Sequence, residues 1–177
     1  MIINEILSPQ SNPREELDLI LAELCELVLN NQEKDSEYYG MVGACVLGPT
    51  GQKVSRTSYK NNNTYVHAER AAIEAYGDIT PDCTIITTLS PCNSPMNDRA
   101  GESCEDLIAE YGIEHVYCGY KDPTQDQDTS VETNNTKLQD LCKQLADTFL
   151  KEDCWKKYKQ VGMKKKGSKM VPNCVPK

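Results

Sequence analysis

His67, Glu69, Cys92 and Cys104 are the residues whose types and spacing can do chemistry. One imidazole and two thiols are donors that zinc prefers, and three protein ligands leave the fourth position of a catalytic site open for water. Glu69 stands two residues past the histidine. That is too close for a comfortable fourth ligand but well placed to move protons. Cys92 follows Pro91, and eleven residues separate it from Cys104. A purely structural site would need a fourth protein ligand, which Cys83 or Cys118 would have to supply. A Cys92–Cys104 disulfide is the remaining alternative.

These residues need elements to bring them together. Leu17, Leu21, Leu24, Cys25 and Val28 recur at three- and four-residue spacing, predicting a helix over 14–32 with Ser11 or Asn12 as cap and Pro13 in its first turn. Met41–Leu47, the Gly48–Gly51 turn and Gln52–Tyr59 read as a β-hairpin. Asn61, Asn62 and Asn63 form a polar loop leading to a helix from His67 to Tyr76, ended by Gly77. Cys83–Leu89 reads as a buried strand stopped by Ser90-Pro91, which places Cys92 just past its end. A loop over 93–102 precedes a helix opened by Ser103-Cys104. His115–Gly119 is a second buried strand, with His115 structural. Residues 121–136 read as a long polar loop, and 138–150 as an amphipathic helix. Trp155 and Tyr158 are expected to dock, 160–163 is a weak candidate for a fifth strand, and 167–177 is expected to fray. Strands alternating with helices predict an α/β fold, a three-layer α/β/α sandwich on a mixed sheet with its later strands parallel.

Composition narrows the functions. The 177 residues predict one domain, about 1–150, followed by a basic C-terminal tail, 151–177. No run approaches the length of a membrane span, and no secretory signal is read at the start, so a cytoplasmic protein is expected. Nine cysteines in a reducing compartment favour metal binding over a disulfide framework. Cys45, Cys83 and Cys118 sit in apolar runs and are expected in the core. Residues 1–150 hold ten Lys and Arg against twenty-five Asp and Glu, whereas 151–177 hold nine Lys against two acids. The acidic body disfavours nucleic acid as partner, and the tail reads as a solvated segment, an anion contact or a segment folded back over the acidic body.

His67-Ala68-Glu69 and Thr88-Leu89-Ser90-Pro91-Cys92, with Cys104 beyond, resemble the two motifs of the cytidine deaminase-like superfamily over roughly residues 15–150. The resemblance implies a five-stranded sheet with helices on both faces, one Zn²⁺ per chain held by His67, Cys92 and Cys104, and frequent homo-oligomers. It also implies hydrolytic deamination of a small nucleoside, nucleotide or aminopyrimidine, with Glu69 carrying protons from water to the ring and to the departing amine. The long spacing between the cysteines, Met41-Val42-Gly43-Ala44 and Tyr120-Lys121-Asp122-Pro123 look most like the deaminase of riboflavin biosynthesis. Candidate substrate contacts on this likeness are Asn61 and Asn63 (Asn62 is not distinguished from them), Tyr65, Ala68, Ser90 and Arg99, the last as a phosphate contact. A base-editing enzyme and a silent zinc domain are the competing functions.

Overall fold

The apolar stripe of the first helix buries Leu21, Leu24, Cys25 and Val28 completely, and this contact seats α1 (Pro13–Gln32) on a sheet. The computed structural model describes residues 12–32, 41–61, 64–93, 101–123, 125, 128–151, 158–166 and 169–176. Asn12 starts α1, its carbonyl accepting from Glu15 N at 2.7 Å. The hairpin follows as β1 (Gly43–Leu47) and β2 (Lys53–Thr57), antiparallel and in register from Gly43↔Thr57 to Leu47↔Lys53. Beyond it β3 (Tyr59–Asn61) and β4 (Thr64–Val66) form a separate short antiparallel ribbon that leads directly to α2 (Ala68–Tyr76). Gly77 closes α2 at φ +83, a conformation that favours glycine.

The strand β5 (Thr84–Leu89) pairs antiparallel with β1 and parallel with β6 (His115–Tyr120), while α3 (Cys104–Glu110) crosses between them. The sheet order is β2-β1-β5-β6-β7, a mixed sheet of five strands. Its fifth strand, β7 (Val131–Glu132), lies inside the stretch expected to be loop and pairs parallel with Tyr117 and Cys118. It therefore precedes the last helix, α4 (Thr136–Lys151), instead of following it.

Strand alternation divides the core in two. Cys45, Ile86 and Tyr117 face α1 and α4, with Leu145 and Cys142. Ala44, Val46 and Ile85 face the other way, packed with Ala68, Ala72 and Ile73 of α2 and Leu107 and Ile108 of α3. The result is the predicted three-layer α/β/α sandwich. Cys45, Cys83 and Cys118 are buried in it, and His115 begins β6 at the surface.

Residues 158–166 and 169–176 differ from expectation. They form β8 (Tyr158–Lys166) and β9 (Lys169–Pro176), a two-stranded antiparallel sheet of their own that adds nothing to the central sheet. The docking expected of Trp155 lies outside the described residues.

Gly119 is a tight point of the core, where β6 passes under α4. A Cβ there would run into Cys142 Sγ and come within 2.8 Å of Cys142 Cβ and 3.1 Å of the Thr88 carbonyl. Gly119→Ala is expected to cost about 1–3 kcal/mol through overpacking, read as a lower urea midpoint at unchanged slope. Pairing it with Cys142→Ala should recover part of the loss, and an unshifted midpoint for the single variant would contradict this packing.

Candidate metal centre

Three local rules set the site. Pro91 has no N–H to continue the β5 ladder, so the chain leaves the sheet there and Cys92 sits just outside its end. His67 is the N-cap of α2, with extended φ −68 and ψ 152, but its side chain makes no capping bond. Its Nδ1 instead faces both thiols, 3.3 Å from Cys104 Sγ and 3.5 Å from Cys92 Sγ. Ser103 caps α3 by accepting from Asp106 N at 3.0 Å, and its hydroxyl donates to Asp106 Oδ2 at 2.6 Å, so Cys104 becomes the first helical residue.

The start of α3 then holds Cys92 in place. Cys104 N donates to Cys92 Sγ at 3.3 Å, and Glu105 N to the Cys92 carbonyl at 3.1 Å. Arg70, buried in the first turns of α2, pairs with Glu102 at 2.7 Å and ties that helix to the segment before α3. The donor atoms of His67, Cys92 and Cys104 lie within 4.8 Å of one another, the one such metal-type group among the described residues. Tetrahedral zinc with a nitrogen ligand at about 2.0 Å and sulfur at about 2.3 Å separates the two donors by about 3.5 Å. The observed nitrogen–sulfur distances match, so the donor set fits the ion. Both cysteines are free, which excludes the disulfide alternative. Cys83 and Cys118 stand apart from the cluster, near Thr80 and Ser130 respectively.

Glu69 is buried in the first turn of α2 with its Oε2 3.5 Å from Cys104 Sγ. Burial pushes its carboxyl above the usual carboxylate range, against the opposing charge of His67. The Thr87 hydroxyl reaches Glu69 Oε1 at 3.3 Å and the Leu89 carbonyl at 2.8 Å, fixing the carboxyl's orientation from β5. The two thiols divide one proton between them. Cys92 is pulled down to about 4, chiefly by its bond with Cys104, while Cys104 is pushed up as the partner of that bond.

The proposed substrate contacts are more scattered. Ala68 is fully buried and packs in the core. Ser90 is buried too, and its Oγ accepts from Asp122 N at 2.9 Å. Tyr65 is 38% exposed on β4, and Asn61 ends β3, paired with Thr64. Asn62, Asn63 and Arg99 lie outside the described residues. Thr87, Arg70 and Ser103 belong to the architecture of the centre although no sequence motif singled them out.

A mixed sheet with helices on both faces, and a His/Cys/Cys donor set beside a buried carboxyl at the end of its central strand, defines the class of zinc-dependent deaminases. The chain belongs to the cytidine and deoxycytidylate deaminase zinc-binding region family, whose model matches residues 18–120. Zinc is accordingly its cofactor. Among solved structures, the chain is similar to a diaminohydroxyphosphoribosylaminopyrimidine deaminase/5-amino-6-(5-phosphoribosylamino)uracil reductase from Thermotoga maritima, with 22% identity, 77% of this chain and 42% of that chain covered, and a TM-score of 0.55. RibD of Acinetobacter baumannii is similar at 16% identity, with 79% of this chain and 40% of that chain covered and a TM-score of 0.58. The likeness is one of fold, and the chain spans about two fifths of the length of both proteins. No curated protein sequence matches. No helix among the described residues is long and apolar enough to cross a membrane.

Proposed function

We propose that the protein hydrolyses the exocyclic amine of a small aminopyrimidine or cytosine nucleoside or nucleotide to a carbonyl, releasing ammonia. The observation that carries this reading is Glu69, a buried carboxyl with a raised pKa set 3.5 Å from one of three converging metal donors. A structural zinc site has no use for such a group. In this reading His67 Nδ1 and the thiolates of Cys92 and Cys104 hold the ion. When bound, zinc supplies the Lewis acidity that brings a water within reach of deprotonation near pH 7. Glu69 accepts one proton of the attacking water and delivers it to the ring nitrogen, then takes the second from the hydroxyl now on the ring carbon and passes it to the amine, which leaves as ammonia. Thr87 keeps the carboxyl aimed during these transfers. The net change consumes one water and yields one ammonia, without a redox partner.

The deaminase domain is assigned to residues 1–150, with 151–177 as a basic appendage. The eleven-residue spacing between the cysteines favours a narrower reading, the aminopyrimidine nucleotide of riboflavin biosynthesis, with Arg99 on its phosphate. Homo-oligomerisation belongs to this reading through the sequence resemblance, and a cytoplasmic location accords with free thiols at all seven described cysteines. The test is ammonia release by zinc-loaded protein from cytidine, deoxycytidine, their monophosphates, guanine, adenosine and the riboflavin-pathway aminopyrimidine. Turnover of one member supports the proposal and identifies the substrate. Silence across the panel from folded, zinc-bearing protein sinks it in favour of a polymeric substrate or a silent scaffold.

Zinc uptake supplies an independent check. Near pH 7 the apo pair keeps one proton, because Cys92 titrates at about 4 while Cys104 titrates above its ordinary value. Binding as two thiolates must release it. Titration calorimetry in buffers of different ionisation enthalpy should show about one proton released per zinc at pH 7–8, and affinity rising about tenfold per pH unit there. Release of none would contradict the shared-proton arrangement.

A further inference from the structure

Pro91 takes Cys92 off the sheet, so contacts other than the β5 ladder must hold that residue in place. One comes from α3, where Glu105 N donates to the Cys92 carbonyl at 3.1 Å. The other half of the same peptide unit, the Asn93 N–H, donates to Gln125 Oε1 at 2.9 Å. In a trans peptide the carbonyl and the N–H lie on opposite sides, so this unit is gripped from both. Gln125 is itself well fixed. Asp122 and Pro123 take the first two positions of a turn, where those residue types are favoured, and Gln125 N closes it on the Asp122 carbonyl at 3.1 Å. Gln125 Nε2 donates to Asp122 Oδ2 at 3.3 Å. The reversed amide would set two donors against each other at Asn93 and two acceptors at Asp122, so Oε1 is the end that meets Asn93. Asp122 N in turn donates to the buried Ser90 Oγ at 2.9 Å, and Ser90 N to the Tyr120 carbonyl at 2.9 Å. Ser90 and Asn93 therefore bracket Pro91 and Cys92, and both are tied to residues 120–125. Gln125, half-buried, lies in neither deaminase motif.

We propose that Gln125 is a positioning residue for the metal centre. By holding the Asn93 N–H it fixes the peptide after Cys92, and hence the direction from which the Cys92 thiolate meets the ion. A cysteine has a single side-chain torsion between backbone and sulfur, so backbone orientation passes almost directly to Sγ. Zinc–sulfur bonds near 2.3 Å leave little room for displacement. Groups that orient ligands from outside the donor set contribute about 10–100-fold to metal affinity. The inference rests on Cys92 being a zinc ligand, as in the proposed function, and not on which amine is hydrolysed.

The test compares the full-length wild type with Gln125→Ala, Gln125→Glu/Asp122→Asn and Cys92→Ala. Zinc affinity is read by competition with a chromophoric chelator, and ligand geometry by the thiolate charge-transfer and ligand-field bands of the cobalt(II)-substituted protein. Gln125→Ala should bind zinc about tenfold more weakly and alter the cobalt spectrum, with the urea midpoint of the zinc-free protein unchanged. The double variant keeps an acceptor for Asn93 and exchanges donor and acceptor between positions 122 and 125, so it should return affinity to within about threefold of wild type and restore the spectrum. Wild-type affinity and spectrum in Gln125→Ala, beside a Cys92→Ala that has lost its zinc, overturn the inference and leave the ligand set standing. A Cys92→Ala that keeps its zinc overturns the ligand set and the inference together. A double variant as weak as Gln125→Ala also overturns it, because the loss then belongs to the loop as a whole and not to the bond with Asn93.

Discussion

Glu69→Gln is expected to lower kcat/KM for ammonia release by about 10²–10⁴ while zinc content stays at the wild-type level. Glutamine keeps the shape of the side chain and can still meet the Thr87 hydroxyl, 3.3 Å from Oε1 in the native site. It cannot carry a proton. Burial raises the Glu69 pKa, which brings the carboxyl nearer to neutral pH, where a group that must both accept and donate is most effective. The loss should therefore fall on kcat more than on KM, since proton transfer belongs to the transition state. Zinc analysis of the same preparation separates this from a damaged metal site. A variant within a few-fold of wild type, with full zinc, would remove Glu69 from the mechanism and with it the observation on which the proposed function rests.

Much of this centre was legible in the sequence because it sits where local signals are strongest. Helix-forming residues run from Ala68 to Tyr76, so His67 could be placed at a helix start. Ser90-Pro91 ends an apolar strand, so Cys92 could be placed at its tip. Ser103 ahead of two acidic residues marks a helix cap, which made Cys104 the first residue of α3. The missed features share the opposite property. Strand β7 is two residues long, Val131 and Glu132, and owes its existence to pairing with Tyr117 and Cys118, so no alternation precedes it. The β3–β4 ribbon pairs Tyr59–Asn61 with Thr64–Val66, in a stretch that by composition is only a loop. Thr87 looks like any β-branched strand residue, and its contact with Glu69 depends on how α2 lies against β5. Arg70 and Glu102 are 32 residues apart and become partners only when both helices share one face of the sheet. Spacing reports chemistry along the chain, whereas the parts that orient that chemistry are set by tertiary contact.

That distinction governs the second large effect, the loss of zinc in Cys104→Ala. Cys104 contributes one of three donors, and its Sγ lies 3.3 Å from His67 Nδ1. Removing it leaves two protein ligands where a catalytic zinc site uses three. The remaining pair is also less well prepared, because Cys92 loses the thiol bond that contributes most to lowering its pKa to about 4. The variant should purify with no more than background zinc, show no measurable deamination, and lose the stabilisation that zinc gives the wild type in thermal melts. Cys118→Ala is the matched comparison. Its thiol is also buried in the sheet, but it bonds Ser130 and stands outside the donor group, so zinc should stay stoichiometric although some stability is lost. If Cys104→Ala kept its zinc while Cys118→Ala lost it, the ligand set would have to be redrawn around the sheet cysteines. If both kept it, His67 and Cys92 would have to hold the ion with a residue other than these two. The contrast between two buried thiols makes the outcome specific to the metal and not to damage of the core.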